Sequence, residues 1–330
     1  MAKTILKDEL QKDSASVSEG AVVKPYKKPG KIKLYAQKGY FSYDLMMLPG
    51  MIFLLIFNII PLYGLLIAFQ DFIPSKGIFN QEWVGFENFV YLFDRPETLQ
   101  VIGNTFKIAL LKIVFTFPVP IIFALLMNEV RHTGLKKGIQ TIVYLPNFIS
   151  WVVMAGIILD MFSLENSVVN NIITFFGGEP VEFLGETKHF VPLLIYTEIW
   201  KGFGCGSIIY LASLSNVDPT LYESCVIDGA KRWRQTLAVT LPAMVPIITL
   251  SAVLKLGDVL NAGFDQIFNL YNENVMDGAD IIDTFTYRLF KDEYAWSQST
   301  LIGLTKSIVS MVFILSGWGL AKKLTNYSVF

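Results

Sequence analysis

Six long apolar runs separated by polar segments set the pattern of this chain: Leu45–Phe69, then roughly Val101–Asn128, Gln140–Phe162, Phe190–Leu214, Leu241–Phe264 and Leu301–Leu320. Each is long enough to cross a bilayer as a helix, the form in which backbone groups are satisfied without water. The pattern predicts an all-α membrane protein with six transmembrane helices. Ahead of the first run, residues 1–40 are polar, with Lys24, Lys27, Lys28, Lys31, Lys33 and Lys38 crowded toward the apolar stretch. They read as a cytosolic polar tail with little to bury, and residues 41–330 as the transmembrane domain. A cleaved signal peptide would have a briefer apolar core than Leu45–Phe69, so that run is read as an uncleaved span.

Charge sets the orientation. Arg131, Lys136 and Lys137, then Lys231, Arg232 and Arg234, then Lys322 and Lys323 fall in alternate polar segments. The segments between are acid-rich, with Glu82, Glu87, Asp94 and Glu97, then Glu165, Glu179, Glu182 and Glu186, then Glu273, Asp277, Asp280 and Asp283. Because cytoplasmic loops retain Lys and Arg, both termini and the segment 215–241 are expected on the cytosolic side.

The spans also contain polar groups. Phe117-Pro118-Val119-Pro120 removes backbone donors and is expected to kink the second span. Lys107 can snorkel to the outer interface, while Lys112 is too deep for that. Glu198 and Lys201 are three apart, near enough to pair on one helix face, and Lys255, Asp258 and Asn261 repeat at the same spacing in the fifth span. A charge at the bilayer centre costs about 2.5–3.5 kcal/mol on insertion scales, so such residues face protein or water. The two sets would line one polar cavity, or else pair between helices and hold the bundle.

Composition agrees and excludes. The chain is 53% hydrophobic and 17% charged, with mean hydropathy +0.48. A net charge of −1 gives no bulk attraction to nucleic acid. There is no Gly-x-x-x-x-Gly-Lys-Ser/Thr phosphate loop, so energy comes from a partner or a gradient. His132 and His189 form no His-Glu-x-x-His zinc motif. Cys205 and Cys225 lie in a span and in the cytosolic segment, so no disulfide is expected.

Within 215–241, Asp218-Pro219 is a helix start and Gly229 a helix stop, with Lys231, Arg232, Trp233 and Arg234 opening a second short segment that meets Pro242. The spacing of Glu223, Ser224, Cys225, Asp228, Gly229, Ala230, Val239, Leu241 and Pro242 resembles the EAA loop of permease subunits in binding-protein-dependent ABC importers. Ser and Cys replace the two alanines and keep those positions small. Trp83-Val84-Gly85-Phe86-Glu87-Asn88-Phe89, Tyr144-Leu145-Pro146, Phe148-Ile149-Ser150-Trp151, Phe264 to Asn272, Asp283 to Arg288 and Asn326-Tyr327-Ser328 resemble the polysaccharide and oligosaccharide permeases of the carbohydrate group, related to maltose-type permeases.

The resemblance implies a type I ABC importer permease fold in a bacterial cytoplasmic (inner) membrane. It implies a second homologous permease subunit, two ATPase subunits that bind ATP and Mg, an extracytoplasmic solute-binding protein and an oligosaccharide substrate. This chain would hold no cofactor and catalyse nothing. Glu223, Ser224, Cys225, Asp228, Gly229, Ala230, Leu241 and Pro242 would sit in a groove of an ATPase subunit. By position, Trp200, Lys201, Gly202, Cys205, Lys255, Asp258 and Asn261 would line the substrate path. Lys112, Lys201 and Lys255 hint at an acidic, uronate-containing oligosaccharide. The competing reading is an ion-coupled secondary carrier, or a membrane enzyme, in which Glu198, Lys201, Lys255 and Asp258 relay protons.

Overall fold

The computed structural model describes residues 40–165 and 167–325; the polar tail before Tyr40 and Asn326-Tyr327-Ser328 lie outside the described residues. The chain divides into two compact units, Met1–Tyr63 and Gly64–Phe330. In the first, α1 (Tyr40–Leu54) passes into a π turn, Leu55–Ile59, and then into a 3-10 stretch from Ile60. Pro61 is the cause, because it lacks an N–H and its ring would strike the carbonyl of Phe57. Met46, Phe53 and Phe57 on α1 and its extension are all exposed. A helix that is apolar all round belongs in hydrocarbon.

The second unit opens on a departure from the all-α expectation. Strands β1 (Gln70–Asp71) and β2 (Glu82–Trp83) pair antiparallel, with Gln70 opposite Trp83. Asn88 Nδ2 donates to Ala68 O at 3.0 Å and Phe69 stacks on Trp83 at 5.8 Å, which pins this ribbon to the next helix.

The helices that follow are α2 (Glu87–Phe93), α3 (Pro96–Thr116), α4 (Pro118–Glu129), α5 (Thr133–Tyr144), α6 (Trp151–Phe162), α7 (Val168–Phe175), α8 (Thr187–Gly206), α9 (Ile208–Ser215), α10 (Pro219–Ile227), α11 (Arg232–Gln235), α12 (Leu241–Gly257), α13 (Phe264–Leu270), α14 (Met276–Ala279), α15 (Ile282–Lys291) and α16 (Trp296–Thr325). One apolar core joins Ile108 of α3, Met154 and Ile158 of α6, Phe190 and Leu194 of α8 and Ile267 of α13. A second joins Leu92, Val101, Phe285, Leu289 and Leu301. A third holds Ala124, Tyr210, Leu214 and Met244.

Four stretches among the described residues are long and apolar enough to cross a bilayer: Ser42–Phe69, Pro96–Glu129, Arg232–Gly257 and Trp296–Gly319. The run expected as a third straight span, Gln140–Phe162, is instead two helical pieces, Thr133–Phe148 and Trp151–Phe162, bent by 101°. Pro146 breaks it, since its ring excludes a regular helix through the carbonyl of Ile142. At ~1.5 Å per residue, the twelve residues of α6 reach only about 18 Å, short of a hydrocarbon core. The fourth expected run is parted into α8 and α9 at Ser207, after Gly202, Gly204 and Gly206 have weakened the helix. The fifth begins earlier than expected, at Arg232, and ends at Gly257, short of Phe264.

Candidate functional site

Two places gather the polar and exposed groups singled out above. The first is the turn from α10 to α11. Asp218 Oδ1 accepts the N–H of Thr220 at 2.9 Å, and Pro219 occupies the first helical position, where its missing donor is harmless. That hydrogen bond holds the Asp218 carboxyl below its ordinary pKa. At the other end Gly229 adopts φ +74°, its N–H donates to Val226 O at 3.0 Å, and that of Ala230 donates to Cys225 O at 2.8 Å. This is a Schellman end, and its left-handed residue favours glycine.

Beyond it, Gln235 Nε2 donates to Ala230 O at 2.8 Å. Then α11 runs without interruption through a π turn, Thr236–Thr240, into α12. Pro242 is the reason for that turn, having no donor for the carbonyl of Ala238. The segment expected as a loop over 215–241 therefore contains the first ten residues of the span Arg232–Gly257, and its second half is not a separate element.

The turn carries Glu223, Ser224, Asp228 and Gly229 exposed, Cys225, Ala230 and Leu241 half-buried, and Pro242 exposed. Around them Val226, Ile227 and Trp233 stand in the open, at 62%, 86% and 73% exposure. An apolar patch on a charged element marks a protein-binding surface. Arg232 pairs with Glu129 at 3.1 Å and Tyr222 Oη meets Thr240 Oγ1 at 3.1 Å, which fixes the turn against the ends of α4 and α12.

The second place lies where α3, α8, the end of α12 and α13 meet. Lys112 is buried, donates to Gln266 Oε1 and lies 3.4 Å from Glu198 Oε2. Gln266, wholly buried, donates Nε2 to Thr197 Oγ1 at 2.7 Å and Leu194 O at 2.8 Å. Buried polar groups need such partners, and here the partners tie three helices together. Gly263 makes the approach of Lys112 feasible: its φ is +95°, and a Cβ there would lie 2.5 Å from Lys112 Nζ.

A recess of about 70 Å³ opens beside this network, lined by Lys112, Thr116, Glu198, Lys255, Asp258 and Asn261 among others. Lys255, Asp258 and Asn261 thus do face Glu198 across one space, but not as one helix face. Asp258 caps the end of α12, and Asn261 sits in the turn after it. Lys255 is exposed, and its ammonium has no hydrogen-bond or ion-pair partner among the described residues.

The expected pairing of Glu198 with Lys201 does not form. Lys201 turns the other way and donates to Asn147 O at 3.0 Å, Ile149 O at 2.7 Å and Pro146 O at 3.4 Å, with its ammonium 5.5 Å from the Trp151 ring. Asn147 O and Ile149 O lie at the bend between α5 and α6, so Lys201 supplies donors that the helix ladder lacks there, while Pro146 O also accepts the N–H of Ile149 at 3.3 Å. Trp200 is exposed, Gly202 and Cys205 are half-buried, and Cys205 Sγ lies 4.0 Å from Tyr144 O. None of the three lines the recess.

Gln266 and Lys306 escaped the sequence reading. Lys306 Nζ donates to Asp283 Oδ1 at 2.6 Å, Asp283 Oδ2 at 2.8 Å and Asn261 Oδ1 at 2.9 Å. Its signal was available: a lone ammonium inside the apolar run Leu301–Leu320 needs a partner.

Residues 117–316 match the family described as binding-protein-dependent transport system inner membrane component. The polygalacturonan/rhamnogalacturonan transport system permease protein YteP of Bacillus subtilis (strain 168) is 40% identical over 299 residues, 91% of this chain and 92% of that protein. Among solved structures, a bacterial ABC transporter involved in the import of the acidic polysaccharide alginate matches with a TM-score of 0.82 and 37% identity, over 89% of this chain and 99% of that one. The bacterial alginate ABC transporter in complex with an alginate pentasaccharide-bound periplasmic protein matches with a TM-score of 0.82 and 37% identity, over 90% and 100%.

Proposed function

Because the chain belongs to the family of binding-protein-dependent transport system inner membrane components, multi-pass and non-catalytic, we propose that it is the permease subunit moving acidic, uronate-containing oligosaccharides into the cytoplasm. The observation that carries the acidic part is Lys255. An ammonium with no partner among the described residues lines a recess whose other lysine, Lys112, is already shared between Glu198 and Gln266. A carboxylate is the group that such a site attracts, most strongly where water is scarce. The names of the relatives, polygalacturonan/rhamnogalacturonan and alginate, support the same class.

In this proposal six spans cross the membrane with both termini in the cytosol, and the bent pair α5–α6 and the pair α8–α9 count as one span each. A second permease completes the path, since six helices alone make a thin wall around an oligosaccharide. Two ATPase subunits bind ATP and Mg, and the exposed turn at Glu223–Ala230, with Leu241 and Pro242 behind it, docks on one of them. An extracytoplasmic solute-binding protein delivers the sugar. ATP-driven closure pushes the turn, tilts the helix that runs from Arg232, and opens the recess outward; hydrolysis returns it. Of the expected path residues, Lys255, Asp258 and Asn261 take the sugar, while Lys201 holds the bend. The ion-coupled carrier or membrane enzyme is not favoured, because the family is one of import permeases and Lys201, one of the four groups it requires, is engaged with backbone carbonyls.

The test is uptake by the purified complex in proteoliposomes with loaded binding protein, comparing neutral and uronic oligomers of equal length for wild type and Lys255→Ala. Uronic uptake should fall more than neutral uptake. An equal loss on both removes the acidic reading, and a purified complex that lacks an ATPase removes the subunit reading.

A further inference from the structure

A second, wider recess adjoins the first, and Asn261 lines both. Its walls come from α13, α15 and α16. Three rings face it: Phe264, Tyr287 and Phe290. Phe264 and Tyr287 lie 5.9 Å apart, and Phe268 backs them at 5.1 Å and 4.9 Å, so two of the plates are held by a third ring. Lys291 stands over the Tyr287 ring at 5.6 Å. The open space measures about 570 Å³, within the ~300–1,000 Å³ usual for small-molecule sites.

The polar edge of this recess is built on one ion pair. Lys306 spends its three ammonium protons on both oxygens of Asp283 and on Asn261 Oδ1, so its charge is matched and its donors are used. A carboxylate arriving here would meet Asp283. A sugar hydroxyl would not be repelled, because it can donate to the free lone pairs of Asp283 or to the hydroxyl oxygens of Thr286 and Thr300, whose own protons go to Ile282 O and Trp296 O. Aromatic plates beside a charge-balanced, hydrogen-bonding edge match the two surfaces of a pyranose ring, apolar C–H faces and a hydroxyl rim.

Building on the proposed transport of acidic oligosaccharides, we infer that the aromatic recess is a second saccharide subsite. It takes the ring face and hydroxyls of the sugar unit next to the one held at Lys255, and Asn261 is shared at the joint between the two. Glu198 and Asp258 offset Lys112 and Lys255 in the first recess as Asp283 offsets Lys306 in the second, so what the second adds is its aromatic plates.

The deciding experiment measures ATP-driven uptake by the whole complex in proteoliposomes, with di- and tetra-galacturonate and, in parallel, neutral galactose oligomers of the same two lengths. For Tyr287→Ala, the ratio of tetramer to dimer kcat/KM should fall about tenfold, the scale of one lost aromatic contact, and Tyr287→Phe should restore it. Phe290→Ala should move the ratio in the same direction, which guards against a folding defect confined to one variant. Lys255→Ala should instead change the ratio of uronic to neutral uptake at both lengths. A length ratio unmoved by either aromatic truncation, in both sugar series, overturns the subsite and leaves the transport proposal standing. A wild type that imports only the neutral series overturns the acidic substrate while the length test still judges the subsite; uptake of neither series overturns both.

Discussion

Replacing Lys201 with methionine tests whether this side chain holds the bend or touches the substrate. Its ammonium makes two short bonds, 2.7 Å to Ile149 O and 3.0 Å to Asn147 O, and a longer one of 3.4 Å to Pro146 O. A hydrogen bond from a charged donor contributes roughly 1.5–3 kcal/mol net, and the lower figure applies to a half-buried lysine that regains hydration when released. Two such bonds give about 3 kcal/mol, or a local opening constant about a hundredfold larger. Methionine keeps an apolar chain of similar length and loses the donors together with the cation over the Trp151 ring. Hydrogen exchange followed by mass spectrometry on the assembled complex should show the amides of residues 145–153 losing about a hundredfold protection in Lys201→Met, with most of it kept in Lys201→Arg. Unchanged protection together with abolished uptake would refute the reasoning and return Lys201 to the substrate path.

At Gly229, alanine meets no atom within 4 Å, so the penalty is backbone alone, about 1–2 kcal/mol for a left-handed residue; recovery of the ATPase in pull-downs of Gly229→Ala should fall about tenfold. The carboxyl of Asp218, held below its ordinary range by the Thr220 N–H, keeps the cap of α10 complete above the unfolded-state value and loses it as pH falls through the lowered folded value. Amide exchange at Thr220 should therefore rise only in that acid window, and Asp218→Asn should abolish the pH dependence while retaining a cap. Arg288→Ala should lower thermal stability by about 2–3 kcal/mol, because it strands the buried Asp280 carboxylate that Arg288 meets at 2.7 Å. Gln266→Leu should cost a similar amount, roughly 2–4 kcal/mol, since it removes the acceptor for Lys112 and both bonds to α8.

How much was legible in the sequence depended on whether the cause was local. Both ends of α10 were readable, because Asp218-Pro219 and Gly229 act on their own neighbours. The apolar runs located the helices, and three of the four long spans follow them closely, while Arg232–Gly257 is displaced toward the N-terminus from its run. What escaped were breaks and pairings decided at a distance. Gly257 is itself a local stop signal for α12, but the turn that follows is shaped around Lys112, more than a hundred residues earlier, which reaches Gln266 past Gly263. Glu198 and Lys201 had the spacing of a pair, yet each found a stronger claim elsewhere, one on Lys112 and the other on the carbonyls at the bend. Pro146 is the exception, since its own chemistry is local and sufficient to foretell the bend.

In the proposed transport cycle the unbroken course of Arg232–Gly257, 26 residues from the exposed turn to the edge of the lysine recess, acts as a lever with both ends on one piece of backbone. At ~1.5 Å per residue it is about 39 Å long, so a 10° swing about its midpoint carries Arg232 and Lys255 some ~3 Å in opposite directions. A stroke of that size exceeds the length of a hydrogen bond's tolerance, so it can make or break every polar contact at Lys255 without any relay of side chains between the two ends.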